Sequence, residues 1–90
     1  MPGRFVVFLT PSFRKDLERL PNQVQPKILE AVTLLEINPF GPPPKIKKLK
    51  GKGIGQWRLE VWPYRVRYDV AGSGVALYRV RHRKDIYRER

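Results

Sequence analysis

From Gln56 onward the chain runs at period two. Trp57, Leu59 and Val61 alternate with Arg58 and Glu60; after Trp62-Pro63, Tyr64, Val66, Tyr68 and Val70 alternate with Arg65, Arg67 and Asp69. Beyond a second turn, AGSG, Ala76, Tyr78 and Val80 alternate with Leu77, Arg79 and Arg81. Alternation of this kind belongs to strands that bury one face, and the two short turns imply antiparallel neighbours. A three-stranded antiparallel meander is therefore predicted. One face is apolar and aromatic, and the other carries Arg58, Arg65, Arg67, Arg79 and Arg81.

The first half of the chain has to cover the apolar face. Residues 4–9, RFVVFL, form a short run rich in valine and phenylalanine that suits a buried strand. Thr10 offers an N-cap oxygen and Pro11 fits the first helical position, whose N–H would be unpaired anyway. Phe13, Leu17 and Leu20 then mark one face of a helix. Pro21-Asn22 breaks it, and Val24, Ile28, Leu29, Val32 and Leu35 define a second, longer helix with Pro26 in or near its first turn. Asn38-Pro39 ends that helix, because the residue before a proline is pushed out of helical space. Neither the sheet nor the helical hairpin can bury its apolar side alone. The expected fold is α+β: an N-terminal strand, a helical hairpin and the meander, with the helices on one sheet face, all in a single domain spanning residues 1–90.

Composition narrows the partners. The 90 residues carry 19 Lys and Arg against 8 Asp and Glu, a formal charge of +11. Self-repulsion on that scale opposes folding of so small a domain, so a polyanionic or acidic partner is expected. With no cysteine and one histidine, disulfides, a thiolate nucleophile and a His-rich metal site are not expected, and no cofactor is implied. The apolar run Phe5 to Leu9 is far shorter than a signal-peptide core or a membrane span. A cytoplasmic protein without membrane contact is the expectation.

Two basic stretches extend the arginine face. Between Lys45 and Arg58 lie Lys45, Lys47, Lys48, Lys50, Lys52 and Arg58 with no acid among them, and glycines that let backbone approach a ligand. The third strand runs into RHRKDIY, which adds His82, Arg83, Lys84 and Tyr87. Arginine presents a planar, permanently charged fork that matches pairs of phosphate oxygens. These residues form the candidate RNA-binding set: Lys45, Lys47, Lys48, Lys50, Lys52, Arg58, Arg67, Arg79, Arg83 and Lys84.

For RNA cleavage without metal ligands, the route open to such a face is attack by the RNA's own 2′-hydroxyl on the adjacent phosphate. That step requires a proton acceptor, cations around the phosphoryl oxygens and an acid for the leaving 5′-oxygen. Arg65 and Arg81 suit the second role. Glu60, His82, Tyr87 and the lysines are candidates for proton transfer, His82 needing no shift in pKa to serve near neutral pH.

The series KKLKGKGIGQWRLEVWPYRVRYDV (47–70) followed by LYRVRHRKDIY (77–87) resembles the RelE/ParE superfamily of toxins from toxin–antitoxin pairs, and the order of elements matches along nearly the whole chain. The resemblance implies an mRNA interferase of the RelE kind. Such a toxin is a ribosome-dependent, metal-independent endoribonuclease acting on mRNA in the ribosomal A site. A cognate RelB-like antitoxin with an acidic or amphipathic segment neutralises it in a hetero-oligomer. It also implies that Arg65 and Arg81 stabilise the phosphate and that Tyr87 completes the site. Where the best-studied members carry two lysines spaced by one residue, this chain has Arg58 and Glu60, so Glu60, Lys50, Lys52 and His82 stay open as the base. The superfamily also contains a ParE branch that inhibits DNA gyrase without nuclease activity, and relatives whose catalytic set has drifted into inert binding.

Overall fold

A computed structural model of the chain describes residues 4–41, 45–50 and 55–84. Strand β1 (Val6–Leu9) leads into helix α1 (Pro11–Glu18) and helix α2 (Gln25–Val32), which tightens into a 3₁₀ turn over Thr33–Glu36. Strands β2 (Ile46–Lys48), β3 (Trp57–Val61), β4 (Tyr64–Ala71) and β5 (Gly74–His82) follow. The sheet order is β1-β5-β4-β3-β2, antiparallel throughout except for the parallel pair β1 and β5.

The expected α+β layering is present. Phe13, Ile28, Val32 and Leu35 from the helical side are buried with Leu59, Val66, Tyr68, Val75, Leu77 and Val80 from the sheet. Thr10 caps α1 as its sequence position predicts: its hydroxyl accepts from the Phe13 amide at 3.3 Å and donates to the Leu77 carbonyl at 2.7 Å. Pro26 sits in the first turn of α2. Gly72 takes a φ of +58° at the tight turn between β4 and β5, a value that an L side chain rarely adopts.

Three sequence expectations need correction. The basic segment after the prolines contributes a fifth strand, β2, which pairs with β3 from Ile46↔Leu59 to Lys48↔Trp57; its lysines hid the strand because they suit a sheet edge as well as a loop. β1 is not buried on both sides. It is an edge strand, with Val6 and Phe8 more than half exposed. The alternation in β5 also changes phase: Arg67 pairs with Arg79 while Tyr68 pairs with Leu77, leaving Tyr78 as an extra residue in a β-bulge. Val75 and Leu77 consequently join Val80 in the core, and Ala76 turns to the arginine side opposite Asp69.

β5 has a free edge that β1 covers only as far as Leu77. α1 takes over from there. The Ser12 hydroxyl donates to the Tyr78 carbonyl at 3.0 Å, and the buried Asp16 carboxylate accepts the Val80 amide at 3.1 Å. Side chains of a helix thus satisfy the backbone groups that a sixth strand would have paired.

Removing the Asp16 carboxylate leaves a buried amide without an acceptor and the arginines beside it without their anion. Asp16→Ala is expected to cost about 2–4 kcal/mol, and Asp16→Asn, which retains an acceptor, less. Urea unfolding of the three proteins measures this, and an Asp16→Ala loss below about 0.5 kcal/mol would contradict it.

Tyr68 is fully buried and donates its phenolic hydrogen to the Pro39 carbonyl at 2.6 Å. Burial pushes its pKa well above the ordinary 10. A folded-state pKa above the unfolded one adds stability that is complete below pH 10 and is lost as pH rises past it, because the unfolded chain then releases the proton first. Tyr68→Phe should cost about 1–2 kcal/mol at pH 7. The gap between wild type and variant should close by pH 11, and a constant gap would exclude the linkage.

Candidate functional site

The sheet face away from the core is organised in rungs by strand register. Lys47, Arg58, Arg67 and Arg79 lie opposite one another across β2, β3, β4 and β5. The next rung holds Glu60, Arg65 and Arg81. Arg65 and Arg81 are direct cross-strand partners, whose Cα atoms in such pairs stand about 4.5–5.5 Å apart. Two guanidiniums therefore project side by side.

Like charges this close require anions, and the chain supplies two. The Glu60 carboxylate lies 3.2 Å from Arg65 Nε and 4.0 Å from Arg58 Nε. Asp16, reaching from α1, lies 2.9 Å from Arg79 Nε and 3.7 Å from Arg81 Nε. The side chains of Arg65 and Arg81 are only 15% and 19% exposed, so packing holds their forks in place. That preorganisation is what an anion-binding or oxyanion-stabilising site requires, since little ordering cost remains when the ligand arrives.

The arginine face is covered at one end. Asp69 does not simply offset charge: its two oxygens accept the Gly55 and Gln56 amides at 2.9 and 2.6 Å, while Arg67 Nε donates to the Gly55 carbonyl at 2.7 Å. This clamp draws the approach to β3 over Arg67. Gly55 has a φ of +76°, and an added Cβ would stand 3.2 Å from Arg67 Cβ, so the close crossing calls for glycine. Arg67 is thereby a structural residue as much as a surface cation.

His82 is not brought to the arginine rungs. It pairs with Tyr64 on the opposite side of the sheet, with ring centroids 5.4 Å apart, and its Nδ1 accepts the Lys84 amide at 3.1 Å. Lys48 also lies off the face, its ammonium 5.9 Å from the Trp57 ring centroid. Lys45, Lys50 and Lys84 are exposed, and Lys45 gives its carbonyl to the Glu60 amide. Lys52 and Tyr87 lie outside the described residues. Among the described residues, no group of three His, Asp or Glu could hold a metal ion, and no helix is long and apolar enough to cross a membrane.

Two features escaped the sequence reading. Asp16 falls on the buried side of α1, where periodicity marks only apolar residues, and nothing local signals that its partners are more than 60 residues away. On the helical side, Leu34, Ile37 and Phe40 are at least half exposed. Leu34 and Ile37 border an apolar groove of about 210 Å³ that reaches Ile46 and Leu59.

Comparison with known proteins accords with this geometry. The family model described as "ParE toxin of type II toxin-antitoxin system, parDE" matches residues 7–87. No curated protein matches the chain. Among solved structures, the RelB-RelE antitoxin-toxin complex from Methanococcus jannaschii contains a chain 30% identical, with a TM-score of 0.69 over 90% of this chain and 95% of that one. A chain of the archaeal RelE-RelB complex from Pyrococcus horikoshii OT3 is 27% identical, with a TM-score of 0.72 over 89% and 96%. The RelBE2 toxin-antitoxin complex from Mycobacterium tuberculosis gives 28% identity and a TM-score of 0.62 over 88% and 91%. The chain belongs to the ParE toxin family of type II toxin–antitoxin systems, within the RelE/ParE superfamily that its arginine-bearing meander resembles.

Proposed function

We propose that this toxin is an mRNA interferase of the RelE kind, a ribosome-dependent endoribonuclease of the cytoplasm that halts translation. The observation that carries the reading is the Arg65–Arg81 pair, side by side on the open sheet face with Glu60 at 3.2 Å from Arg65. In the proposed reaction the 2′-oxygen attacks the adjacent phosphorus and the 5′-oxygen of the next nucleotide leaves, so the products are a 2′,3′-cyclic phosphate and a 5′-hydroxyl. Arg65 and Arg81 bind the non-bridging oxygens, on which charge builds in the transition state.

Glu60 is our choice of general base. It stands on the phosphate-binding rung, whereas His82 points to the other side of the sheet. Proton donation to the leaving oxygen is assigned to Tyr87, with Lys50 and Lys52 as further candidates. Lys47, Arg58 and Arg79 supply long-range attraction for the backbone on either side.

The partner that silences the toxin is proposed to be a cognate RelB-like antitoxin. The similar chains from M. jannaschii and P. horikoshii were solved as complexes with RelB. These two surfaces lie on opposite faces of the sheet, so an antitoxin covering both would wrap around the sheet edge, with one acidic segment toward the arginine rungs and another apolar one toward the groove beside Leu34 and Ile37.

The ParE description of the family supports a second reading, a toxin that inhibits DNA gyrase without cutting RNA. Primer extension on mRNA held in programmed ribosomes with an empty A site separates the two, run beside a gyrase supercoiling assay. Chelator-resistant cleavage in the A site is expected. Arg65→Ala and Arg81→Ala should each lower its rate roughly 10²- to 10³-fold, and Glu60→Gln should lower it while leaving the fold intact by circular dichroism. Gyrase inhibition by folded wild-type protein that leaves mRNA whole would overturn the nuclease reading.

A further inference from the structure

The open face does not end at the Arg65–Arg81 rung. Trp62 follows Glu60 by two residues and Arg83 follows Arg81 by two, and the ladder continues to this point through the Arg83 amide, which donates to the Pro63 carbonyl at 2.9 Å. The pair lies just past that rung, Trp62 in the turn between β3 and β4 and Arg83 immediately beyond the end of β5. Here the character of the face changes from charge alone to charge behind an aromatic ring. The Arg83 guanidinium lies over the Trp62 indole with its carbon 4.7 Å from the ring centroid.

Several properties of this pair do not fit simple packing. Trp62 is 67% exposed, although a tryptophan ring usually buries most of its surface. Arg83 makes no ion pair among the described residues, unlike Arg58, Arg65, Arg79 and Arg81, and its buried Nε has no hydrogen-bond acceptor. The guanidinium covers part of the indole and holds the ring in place, while much of the ring stays open to solvent. Charge on the face selects the occupant. Arg83 lies over the ring and Arg81 stands two residues before it, paired with Arg65, which favours the base of a polyanion over an apolar side chain.

We propose that Trp62, backed by Arg83, is a stacking platform for one unpaired nucleobase neighbouring the phosphate held by Arg65 and Arg81. The inference rests on the reading of this face as an RNA site and adds to it a base-binding position, tolerant of base identity because every base has a π-face. Trp62 thereby fixes the register of the strand on the arginine rungs, and the arginines fix the phosphate.

The test is binding rather than cleavage. A short single-stranded oligonucleotide with 2′-O-methyl sugars, which cannot be cut by 2′-attack, is titrated at low ionic strength against the full chain, in parallel with a version abasic throughout. Trp62→Ala is expected to weaken binding of the base-containing strand roughly 5- to 150-fold, the loss of one base stack. It should leave the abasic strand unaffected, and Trp62→Phe should restore most of the affinity. Equal binding of the base-containing strand by wild type and Trp62→Ala would overturn the inference. So would a Trp62→Ala variant that loses affinity for the antitoxin alone. Base-dependent binding through Trp62 in a protein that fails to cleave mRNA on ribosomes would uphold the platform while the nuclease reading falls. No binding of either strand by wild type would remove the platform while leaving the ribosome assay to decide the nuclease reading.

Discussion

The carboxylate of Asp16 ties the two halves of this toxin together. It lies on the buried side of α1 and bonds to the backbone of β5 at Val80 and to Arg79 Nε, with Arg81 Nε 3.7 Å away. One group therefore satisfies an orphaned sheet edge, anchors the first helix across the end of the sheet and offsets charge at one end of the arginine rungs. A desolvated carboxylate is costly unless fully paired, and here the backbone amide and the guanidinium supply the pairing. The same contacts make the helical layer sensitive to the state of the face. Any ligand that draws Arg81 away from Asp16 acts on a contact that also holds α1.

What was legible in the sequence was whatever periodicity and local chemistry record. The helical hairpin, the Thr10 cap, the turn after Ala71 and the placing of Arg58, Arg65 and Arg67 on one face follow from spacing alone. The bulge at Tyr78 was not legible: strict alternation assigns Ala76 inward and Leu77 outward, and the structure reverses both. Only the volume of Leu77, too large and apolar to leave in water beside Arg79, hinted at a change of phase. Asp16 and the Gly55 clamp were illegible for a different reason. Both join residues far apart in sequence, and a charged side chain carries no periodic signal that it will be buried.

The directions of the candidate residues were only partly legible. Arg65, Arg81 and Glu60 share one rung, yet His82 stands one residue from Arg81 and faces the other way, because neighbours along a strand point to opposite sides. Sequence adjacency in RHRKDIY therefore overstated what the histidine shares with the arginines. It concealed the opposite case as well: Trp62 and Arg83 are 21 positions apart in the chain and in contact at the end of the sheet.

The pairing of the arginines bears on selectivity. A phosphate approaching Arg65 and Arg81 finds guanidiniums already in contact with Glu60 and Asp16, so it gains the difference between two sets of ion pairs rather than the full attraction of bare cations. Net affinity for an arbitrary polyanion is held down by that exchange, despite a formal charge of +11. A substrate that arrives already positioned loses less entropy and can overcome the competition. On the proposed nuclease reading, the internal carboxylates would favour a presented strand over free nucleic acid. On the same reading, an acidic antitoxin segment, bringing several anions at once on a single chain, would be the ligand best able to displace them together.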